Sequence, residues 1–447
     1  AAPLAGKPVA RCGGTDLSSG NFVPYRNHVD FANPAGFGLP FVFARTYNSN
    51  NSGEAGPLGP GWTHSYQIRI VDLGSIAIVK WGNGRDDFYA FDGIDYIPAP
   101  GVYNQLQKTM GSYILTTKDQ TVYTFVESVE NGVSIGRAVH IRDRNGIELE
   151  LMYDAVKDGL LDHVDDGSNR TYRFHYILVP GDPNHLISET NRYRLSSITE
   201  ENAGSLSRNI NFGYDTMGRL TSYIDAEGNS TTYAYEDTDN LGLLTKITLP
   251  ELNTITAAYS GDKLDTLQIG SAGNVEKTID LAYNTTIQTP SGPVEGTIYT
   301  VQPVDGPGQT VSVTHDQYKL GIVKDGLDNL SEVLQYDSNL NPTQIMDKNG
   351  RVWSYSWASA TGNLTGVVNP ENEVTNYEYD PLKPNNLIRI TDPAGNITRF
   401  DYDDNGNVEH IIRVVDGVDR ITTIGRYSNG QIQSVTTPPN NLAGISP

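Results

Sequence analysis

The fold of this chain is decided by a pattern that recurs along its second half. It reads YDTMGRLTSYIDAEGNSTTYAY at residues 214–235 and YDSNLNPTQIMDKNGRVWSYSW at residues 336–357. Each copy begins with Tyr-Asp, contains an Asp-x-x-Gly turn and ends with two aromatic residues that have one other residue between them. The repeat length can be counted from one such tyrosine, or the tryptophan that replaces it, to the next. It is 21 residues from Tyr214 to Tyr235, 21 from Tyr336 to Trp357, 22 from Trp357 to Tyr379 and 23 from Tyr379 to Tyr402.

Each copy has the chemistry of a β-hairpin. Residues 219–224 alternate between two faces with the period of a strand, and residues 230–235 return with strand-forming Thr and Tyr. Between them, Asp225 supplies a hydrogen-bond acceptor and Gly228 supplies a residue that tolerates positive φ, as a tight turn requires. A lone hairpin of this length cannot bury its aromatic face. We therefore predict that neighbouring hairpins stack into one continuous sheet.

The repeats predict an all-β fold, a curved open β-solenoid of hairpins over residues 151–447. An irregular insertion is expected at about residues 260–316, where Gly-Pro pairs favour longer loops. An N-terminal β-module at 1–70 and connecting strands at 71–150 are predicted to precede the solenoid. Three tyrosines hold the same position in their hairpins and are predicted to lie inward or stacked: Tyr233, Tyr355 and Tyr377.

A second set of motifs lies near the N-terminus. It comprises LPFVFARTYNS at residues 39–49 and GPLGPGWTHSY at residues 56–66, with Gly-Asn-Phe at 20–22 upstream. Together with the Tyr-Asp hairpins, these motifs resemble the Rhs, or tyrosine-aspartate (YD) repeat, proteins. That family includes bacterial Rhs proteins, insecticidal-toxin C components and animal teneurins. The resemblance covers nearly the whole chain.

The resemblance implies a structural role without enzymatic activity. Rhs proteins that deliver toxins enclose them in a shell, or cocoon. Their repeats usually continue into a core-closing segment and a variable toxic domain, and neither is recognisable before Pro447. The resemblance thus implies a piece of a shell whose partner is a C-terminal shell or toxin segment.

The composition favours an extracellular or cell-surface protein. Acidic residues number 53 against 32 basic ones, and the resulting net charge of −21 disfavours binding to nucleic acid or anionic lipid. The single cysteine, Cys12, allows no internal disulfide, and whether it pairs with a partner is left open. No apolar run of roughly 18 residues predicts a membrane span.

Patterns of catalytic residues are missing from the sequence. The eight histidines form no zinc-binding spacing, and no nucleophile elbow, P-loop or dinucleotide-binding glycine run occurs. His64, close to Trp62, is predicted to form a structural corner that holds the first hairpin. We therefore expect a protein that is not an enzyme.

One segment resembles the first half of a calcium-binding loop. Asp401, Asp403 and Asn405 place side-chain oxygens at alternate positions, a glycine follows, and Glu409 lies further along. The twelfth position is Ile412 where a calcium loop has glutamate, and the flanks have strand character. Two interpretations stay open, a calcium site and an ordinary hairpin turn. No other cofactor is predicted.

Two functions remain compatible with the sequence. The first is structural, as part of a shell or as a self-associating fibre. The second is a carbohydrate-binding or adhesin module whose exposed tyrosines stack on glycans. The last hairpin, after residues 431–441, lacks a full return strand. Its open edge is expected to accept a continuation of the chain or another copy, by strand addition or head-to-tail stacking.

Overall fold

The structure, a computed structural model, describes most of the chain, and all statements below concern these residues. They are 11–12, 15–16, 19, 21–24, 28–32, 39–53, 55–154, 159–179, 193–202, 205–271, 274–289, 292–303, 309–316, 319–324, 330–415 and 417–438. They form strands joined by turns, with one 3-10 turn at Ser49–Asn51. No helix in this part of the chain has the length and hydropathy needed to span a bilayer. The predicted all-β class is confirmed.

The N-terminal segment, residues 11–68, contributes eight short strands. They are β1 (Arg11–Cys12), β2 (Thr15–Asp16), β3 (Asn21–Phe22), β4 (His28–Ala32), β5 (Val42–Tyr47), β6 (Ala55–Gly56), β7 (Gly59–Pro60) and β8 (Trp62–His64). They form three small sheets, in the orders β1-β2-β3, β4-β5-β8 and β6-β7. The side chain of Cys12 lies outside the described part of the structure, so its pairing stays open.

The next eight strands, which we call the ring, form an antiparallel sheet that closes on itself. They are β9 (Arg69–Asp72), β10 (Ile76–Lys80), β11 (Asp86–Phe91), β12 (Tyr96–Pro98), β13 (Gln105–Thr109), β14 (Ser112–Thr116), β15 (Val122–Glu130) and β16 (Val133–Arg142). Closure comes from β16, whose residues 134–137 pair with β9. The closed ring lies in the region predicted as connecting strands, residues 71–150, and because the solenoid strands continue from it, the whole sheet is not plainly the open solenoid that the repeats predicted.

A glycine allows the ring to close. Gly136 pairs with Ile70 across the closing strands. A β-carbon on Gly136 would come within about 3 Å of the Tyr113 ring and of the side chains of Ile70 and Phe125. A larger residue would push the last strand away from the first, since interiors of small rings are filled by side chains to crystal-like density.

The remaining strands, which we call the ribbon, continue the same sheet as one antiparallel meander. Up to the middle of the ribbon they are β17 (Glu148–Asp154), β18 (Leu160–Asp165), β19 (Arg170–Leu178), β20 (Tyr193–Asn202), β21 (Ser205–Tyr214), β22 (Leu220–Ile224), β23 (Ser230–Ala234), β24 (Lys246–Thr248), β25 (Asn253–Ser260), β26 (Lys263–Ser271), β27 (Asn274–Thr289) and β28 (Gly292–Pro303). The others are β29 (Gln309–Asp316), β30 (Lys319–Lys324), β31 (Leu330–Tyr336), β32 (Pro342–Met346), β33 (Val352–Trp357), β34 (Leu364–Val368), β35 (Val374–Tyr379), β36 (Leu387–Thr391), β37 (Ile397–Tyr402), β38 (Val408–Val415), β39 (Val418–Arg426) and β40 (Ile432–Thr436).

The ribbon leaves the ring at β16, which has a different partner at each end. Its first half pairs with β9, while residues 140–142 pair with β17. The expected boundary near residue 150 lies within β17, the first strand outside the ring, and the sheet continues across it. The expected irregular region contains β27, which is 16 residues long.

Loops of the ribbon rest on loops of the ring, along a line that we call the seam. Asn341 donates from Nδ2 to the Tyr103 hydroxyl at 2.8 Å. Arg144 donates to the carbonyl of Gly406 at 2.8 Å, and Asn407 donates to Oδ1 of Asn145 at 2.7 Å. The ribbon therefore coils above the ring, and polar loop contacts join the successive levels.

Candidate functional site at the junction of the N-terminal segment and the ribbon

The N-terminal segment packs into the concave face of the first half of the ribbon, and we call this contact the junction. In β5 every residue from Phe43 to Tyr47 is buried, which means that both faces of the strand are covered. The Phe41 ring stacks on Tyr172 with centroids 3.7 Å apart and on Tyr66 at 4.9 Å. Aromatic packing of this extent supplies most of the apolar area that holds the segment in place.

A buried cation lies at the centre of the junction. The guanidinium of Arg45 is 1% exposed and pairs with the carboxylate of Asp30, which is fully buried. It also donates to the Tyr233 hydroxyl at 2.9 Å and lies 4.1 Å from the centre of the Tyr223 ring. Burial alone lowers the pKa of Arg45, but Tyr233 and Asp30 raise it above the ordinary value, so the group stays charged.

Two further aromatic residues of the segment hydrogen-bond directly to the repeats. The indole N–H of Trp62 donates to the Tyr235 hydroxyl at 2.9 Å. The Tyr47 hydroxyl donates to the carbonyl of Gly242 at 3.1 Å and accepts the N–H of Leu244 at 2.9 Å. The conspicuous residues of the two N-terminal motifs thus contact the first Tyr-Asp repeat.

His64 is buried among apolar groups. Its ring stacks on Phe43 with centroids 5.2 Å apart, and burial lowers its pKa to about 3. Its backbone carbonyl lies against Gly82, where a β-carbon would collide with it. A neutral imidazole with a suppressed affinity for protons is a poor general base at neutral pH, and this placement suits a packing role.

The repeats contain a hydrogen bond that sequence analysis missed, which we call the tyrosine latch. The hydroxyl of the closing tyrosine donates to a backbone carbonyl 15 residues earlier in five hairpins: Tyr153 to Ala138, Tyr176 to Leu161, Tyr259 to Leu244, Tyr379 to Leu364 and Tyr402 to Leu387. In the hairpin that has tryptophan instead, the indole N–H of Trp357 reaches the carbonyl of Pro342 at 2.8 Å. The sequence did contain a signal for this bond: one hairpin has tryptophan where the others have tyrosine, and both side chains carry a hydrogen-bond donor at the end of a large ring.

The aspartate of the Tyr-Asp pair shapes the turn that follows it. Asp403 accepts hydrogen bonds from the backbone N–H of Asn407 at 2.8 Å and from its amide side chain at 3.0 Å. Burial raises the pKa of Asp403, but these bonds from Asn407 outweigh it and hold the pKa below its usual range. The oxygens are therefore engaged in an Asx-type turn.

The other residues of the suggested calcium loop do not converge on Asp403. Asp401 is exposed on β37, and its carboxylate lies 3.8 Å from Nδ1 of His410. Glu409 is exposed on β38. No group of three or more acidic, histidine or cysteine side chains in the described residues has an arrangement that could hold a metal ion. Calcium binding by Asp401, Asp403, Asn405 and Glu409 stays a prediction.

The three tyrosines predicted to be equivalent differ in burial. Tyr233 is 5% exposed beneath the N-terminal segment. Tyr355 and Tyr377 hold the same position in later hairpins and are only half-buried, because no described part of the segment reaches them. Their shared position follows from the hairpin geometry, while burial depends on what covers the face.

A closed ring, a coiled ribbon of hairpins and a buried N-terminal segment define a β-repeat protein. Sequence comparison refines this class. The RHS repeat family matches residues 214–254, 336–374 and 385–421, and the domain of unknown function DUF6531 matches residues 15–88. The chain is an Rhs, or YD-repeat, protein with an N-terminal domain of the DUF6531 type, as the motifs predicted. A search of curated protein sequences finds no match.

Solved structures with similarity to this chain include components of Tc toxins. A crystal structure of TcdB2-TccC3 is 14% identical, with a TM-score of 0.33, and the match covers 90% of this chain and 26% of that chain. A structure of the Photorhabdus luminescens Tc holotoxin pore is 12% identical, with a TM-score of 0.35 and coverage of 89% and 22%. The chain thus spans about a quarter of the length of these chains.

Proposed function

We propose that this protein is a secreted or cell-surface structural protein that forms part of the wall of a shell, and that it has no enzymatic activity. The proposal rests on one observation. The face that the N-terminal segment covers at Tyr233 continues uncovered along the later hairpins, still lined by large aromatic side chains. A shell that encloses a cargo needs such a continuous inner face.

The later strands have one face with large aromatic side chains and one polar face. In β35, Thr375, Tyr377 and Tyr379 are half-buried, whereas Asn376 and Glu378 between them are exposed. Side chains of alternate residues point to opposite faces of a sheet. The face with the tyrosines is the concave one in the proposed wall, and the polar face is the outside.

Thiol labelling tests the proposal. In a Cys12→Ser background, Thr375→Cys places a thiol on the proposed inner face and Asn376→Cys places one on the outer face. A small maleimide should label both positions. A maleimide carrying a polyethylene glycol of about 5 kDa should label position 376 normally and position 375 at least about tenfold more slowly. Equal rates of labelling by the large reagent would contradict an enclosed inner face.

The same aromatic face supports a second proposal, carbohydrate binding. The rings of Tyr355 and Trp357 lie parallel within 29°, with centroids 6.5 Å apart, and both are half-buried. Such rings stack on the apolar face of neutral sugars. Isothermal titration with neutral oligosaccharides should detect binding that Trp357→Ala abolishes if this role is correct. If instead no titrated sugar binds, the carbohydrate role is excluded for those sugars.

A further inference from the structure

Four hairpin tips at one end of the ring each expose a large apolar side chain. Alternate turns of an antiparallel meander lie at the same end, so the turns at 72–75, 92–95, 109–112 and 130–133 share one rim. We call it the lower rim. Its apolar residues are Leu73 (57% exposed), Ile94 (85%) and Met110 (fully exposed) in the first three turns, and Val129 (70%), which lies in β15 next to the fourth turn.

The opposite end of the ring is already occupied. There the turns that contain Gly82, Tyr103 and Asn145 contact the N-terminal segment or the ribbon. At the lower rim, a β-carbon on Gly74, Gly93, Gly111 or Gly132 would meet no atom within 4 Å. The lower rim is therefore an unoccupied end of the described structure.

A polar network links the four hairpins behind the tips; it is buried at Asp72, Tyr96 and Tyr113 and partly open to solvent at Lys108 and Glu127. The carboxylate of Asp72 accepts hydrogen bonds from the hydroxyls of Tyr96 at 2.7 Å and Tyr113 at 2.8 Å. The ammonium of Lys108 lies 3.1 Å from Asp72 and 2.8 Å from Glu127. These five residues come from all four hairpins, directly behind the tips. The network ties together the strands that carry the tips, and a rim whose strands are held in place lowers the entropic cost of binding a partner.

The apolar tips contrast with other turns of this molecule. Tight turns favour Gly, Asn, Asp and Ser. The repeat turns at 225–229, 347–351 and 392–396 follow that preference and expose no large apolar side chain. Single exposed leucines do occur elsewhere, at Leu252 and Leu382. Among the turns that the structure describes, apolar tips follow one another on successive hairpins only at the lower rim, about 10 Å apart, since two strand spacings separate them.

The charge of the lower rim selects the kind of partner. Asp92 and Asp95 are exposed beside the apolar tips, whereas the exposed Glu130 already has a basic partner. The basic groups nearby are engaged, because Lys108 pairs with Asp72 and Glu127, and Arg137 pairs with Glu130 at 2.6 Å. An acidic rim repels anionic lipid, and two such rims repel each other. A surface with basic residues around an apolar centre complements it.

We propose that the lower rim is a docking surface for a partner protein that presents an apolar face bordered by lysine and arginine. The four apolar tips insert into that face, and the acidic side chains between them pair with its basic border. The rim has the composition of a binding patch, with an apolar centre and a charged periphery. This role is separate from the inner face of the ribbon and does not depend on it.

A designed peptide tests the proposal on the full chain. The probe is a fluorescein-labelled 14-residue amphipathic helix of leucine and lysine, measured by fluorescence anisotropy. A matched peptide with serine in place of leucine reports charge attraction alone. Ile94→Ser with Met110→Ser removes two tips, and Leu252→Ser with Leu382→Ser removes two exposed leucines elsewhere. Circular dichroism and thermal melts should show that both variants fold as the unchanged protein does, because all four side chains are exposed.

The proposal expects the Kd of the leucine-lysine peptide to rise at least about tenfold in the tip variant and to stay unchanged in the control variant. Equal Kd values for the tip variant and the unchanged protein would overturn it. Two other results would overturn it as well. One is a dimer in sedimentation that the tip variant abolishes, which assigns the rim to self-association. The other is flotation with phosphatidylcholine–phosphatidylglycerol vesicles that the tip variant abolishes, which assigns it to lipid.

Discussion

The first Tyr-Asp hairpins and the last ones share a sequence pattern but differ in what covers them. Between residues 214 and 259, the inner face packs against the N-terminal segment, and Tyr223, Tyr233 and Tyr235 are buried. Between residues 336 and 436, the equivalent face is half-exposed throughout, and the outermost strand β40 is exposed along its whole length. The hairpin repeat therefore does not need a covered face to recur.

What the two regions share is the internal bonding of the hairpin. The tyrosine latch occurs at Tyr259 in the covered region and at Tyr379 and Tyr402 in the uncovered one. The Asp turn occurs in both, at Asp225 and at Asp392. These hydrogen bonds define the repeat, while the N-terminal segment adds a core to part of it. Substitutions can separate the two contributions.

The largest effect is expected at the buried cation. Arg45→Met leaves the Asp30 carboxylate buried without its partner and should lower the free energy of unfolding by roughly 3–5 kcal/mol. Chemical denaturation measures the change. In the uncovered region, Arg351→Met breaks the exposed pair with Asp347 and should cost less than about 1 kcal/mol. Adding Asp30→Leu to Arg45→Met should recover part of the loss. If the double variant were as unstable as the single one, the buried charge would not be the cause.

Equivalent tyrosines give the most direct comparison of the two regions. Tyr233→Ala removes a ring buried at the junction and should cost roughly 3–5 kcal/mol. Tyr377→Ala removes a half-exposed ring at the same hairpin position and should cost roughly 1 kcal/mol. Denaturation midpoints of the two variants provide the test. Similar losses would mean that the uncovered face is buried in solution by something else.

The junction should also make the stability of the protein depend on pH below about 6.5, because it buries His64. Because burial lowers the pKa of His64 to about 3, the unfolded chain binds a proton at this histidine at higher pH than the folded chain. Stability should therefore fall as the pH drops below about 6.5, by up to about 1.4 kcal/mol per pH unit until the folded pKa is reached.

Replacement of the histidine isolates this effect. His64→Phe keeps an aromatic ring against Phe43 and should flatten the pH dependence of the free energy of unfolding between about pH 4 and 6.5. An unchanged slope in His64→Phe would show that other groups cause the acid sensitivity.

The smallest effect should be the same in both regions. Tyr259→Phe and Tyr379→Phe each remove one latch hydroxyl and should each cost roughly 1 kcal/mol, the net value of one hydrogen bond. Tyr377→Phe removes a hydroxyl that takes no part in a latch, and its change should stay within about 0.5 kcal/mol. A loss in the covered region only would mean that the latch depends on the N-terminal segment.

The sequence predicted the hairpins because their determinants are local. The Asp turns at 225–229 and 347–351 and the alternating strands between them can be read within a single repeat. Closure of the ring could not be predicted. It joins residues 134–137 to residues 69–72, and neither stretch carries a periodic signal that names the other as its partner. Long-range pairing depends on the path of the whole sheet.

Prediction of the site was partial for a related reason. Trp62 and His64 were recognised as members of a specific motif, but their contacts with Tyr235 and Phe43 depend on where the N-terminal segment docks. The half-exposure of Tyr355 and Tyr377 has the same origin, because an aromatic face looks identical in sequence whether or not another part of the chain covers it. The lower rim escaped notice because its apolar residues are separated by strands in the sequence and meet only at the end of the ring.

The double pairing of β16 has a mechanical consequence. Each strand of the ribbon is paired mainly with the strands before and after it. A force applied at the C-terminal end of the ribbon should therefore unfold the hairpins one after another. When unfolding reaches β16, the force acts on a strand that is hydrogen-bonded along both edges within the ring, to β9 and to β15. To free it, its ladder with β9 and its ladder with β15 must both break. The ring should therefore resist unfolding more strongly than the ribbon. Stretching of a single molecule should show many unfolding steps at low force, followed by one step at higher force.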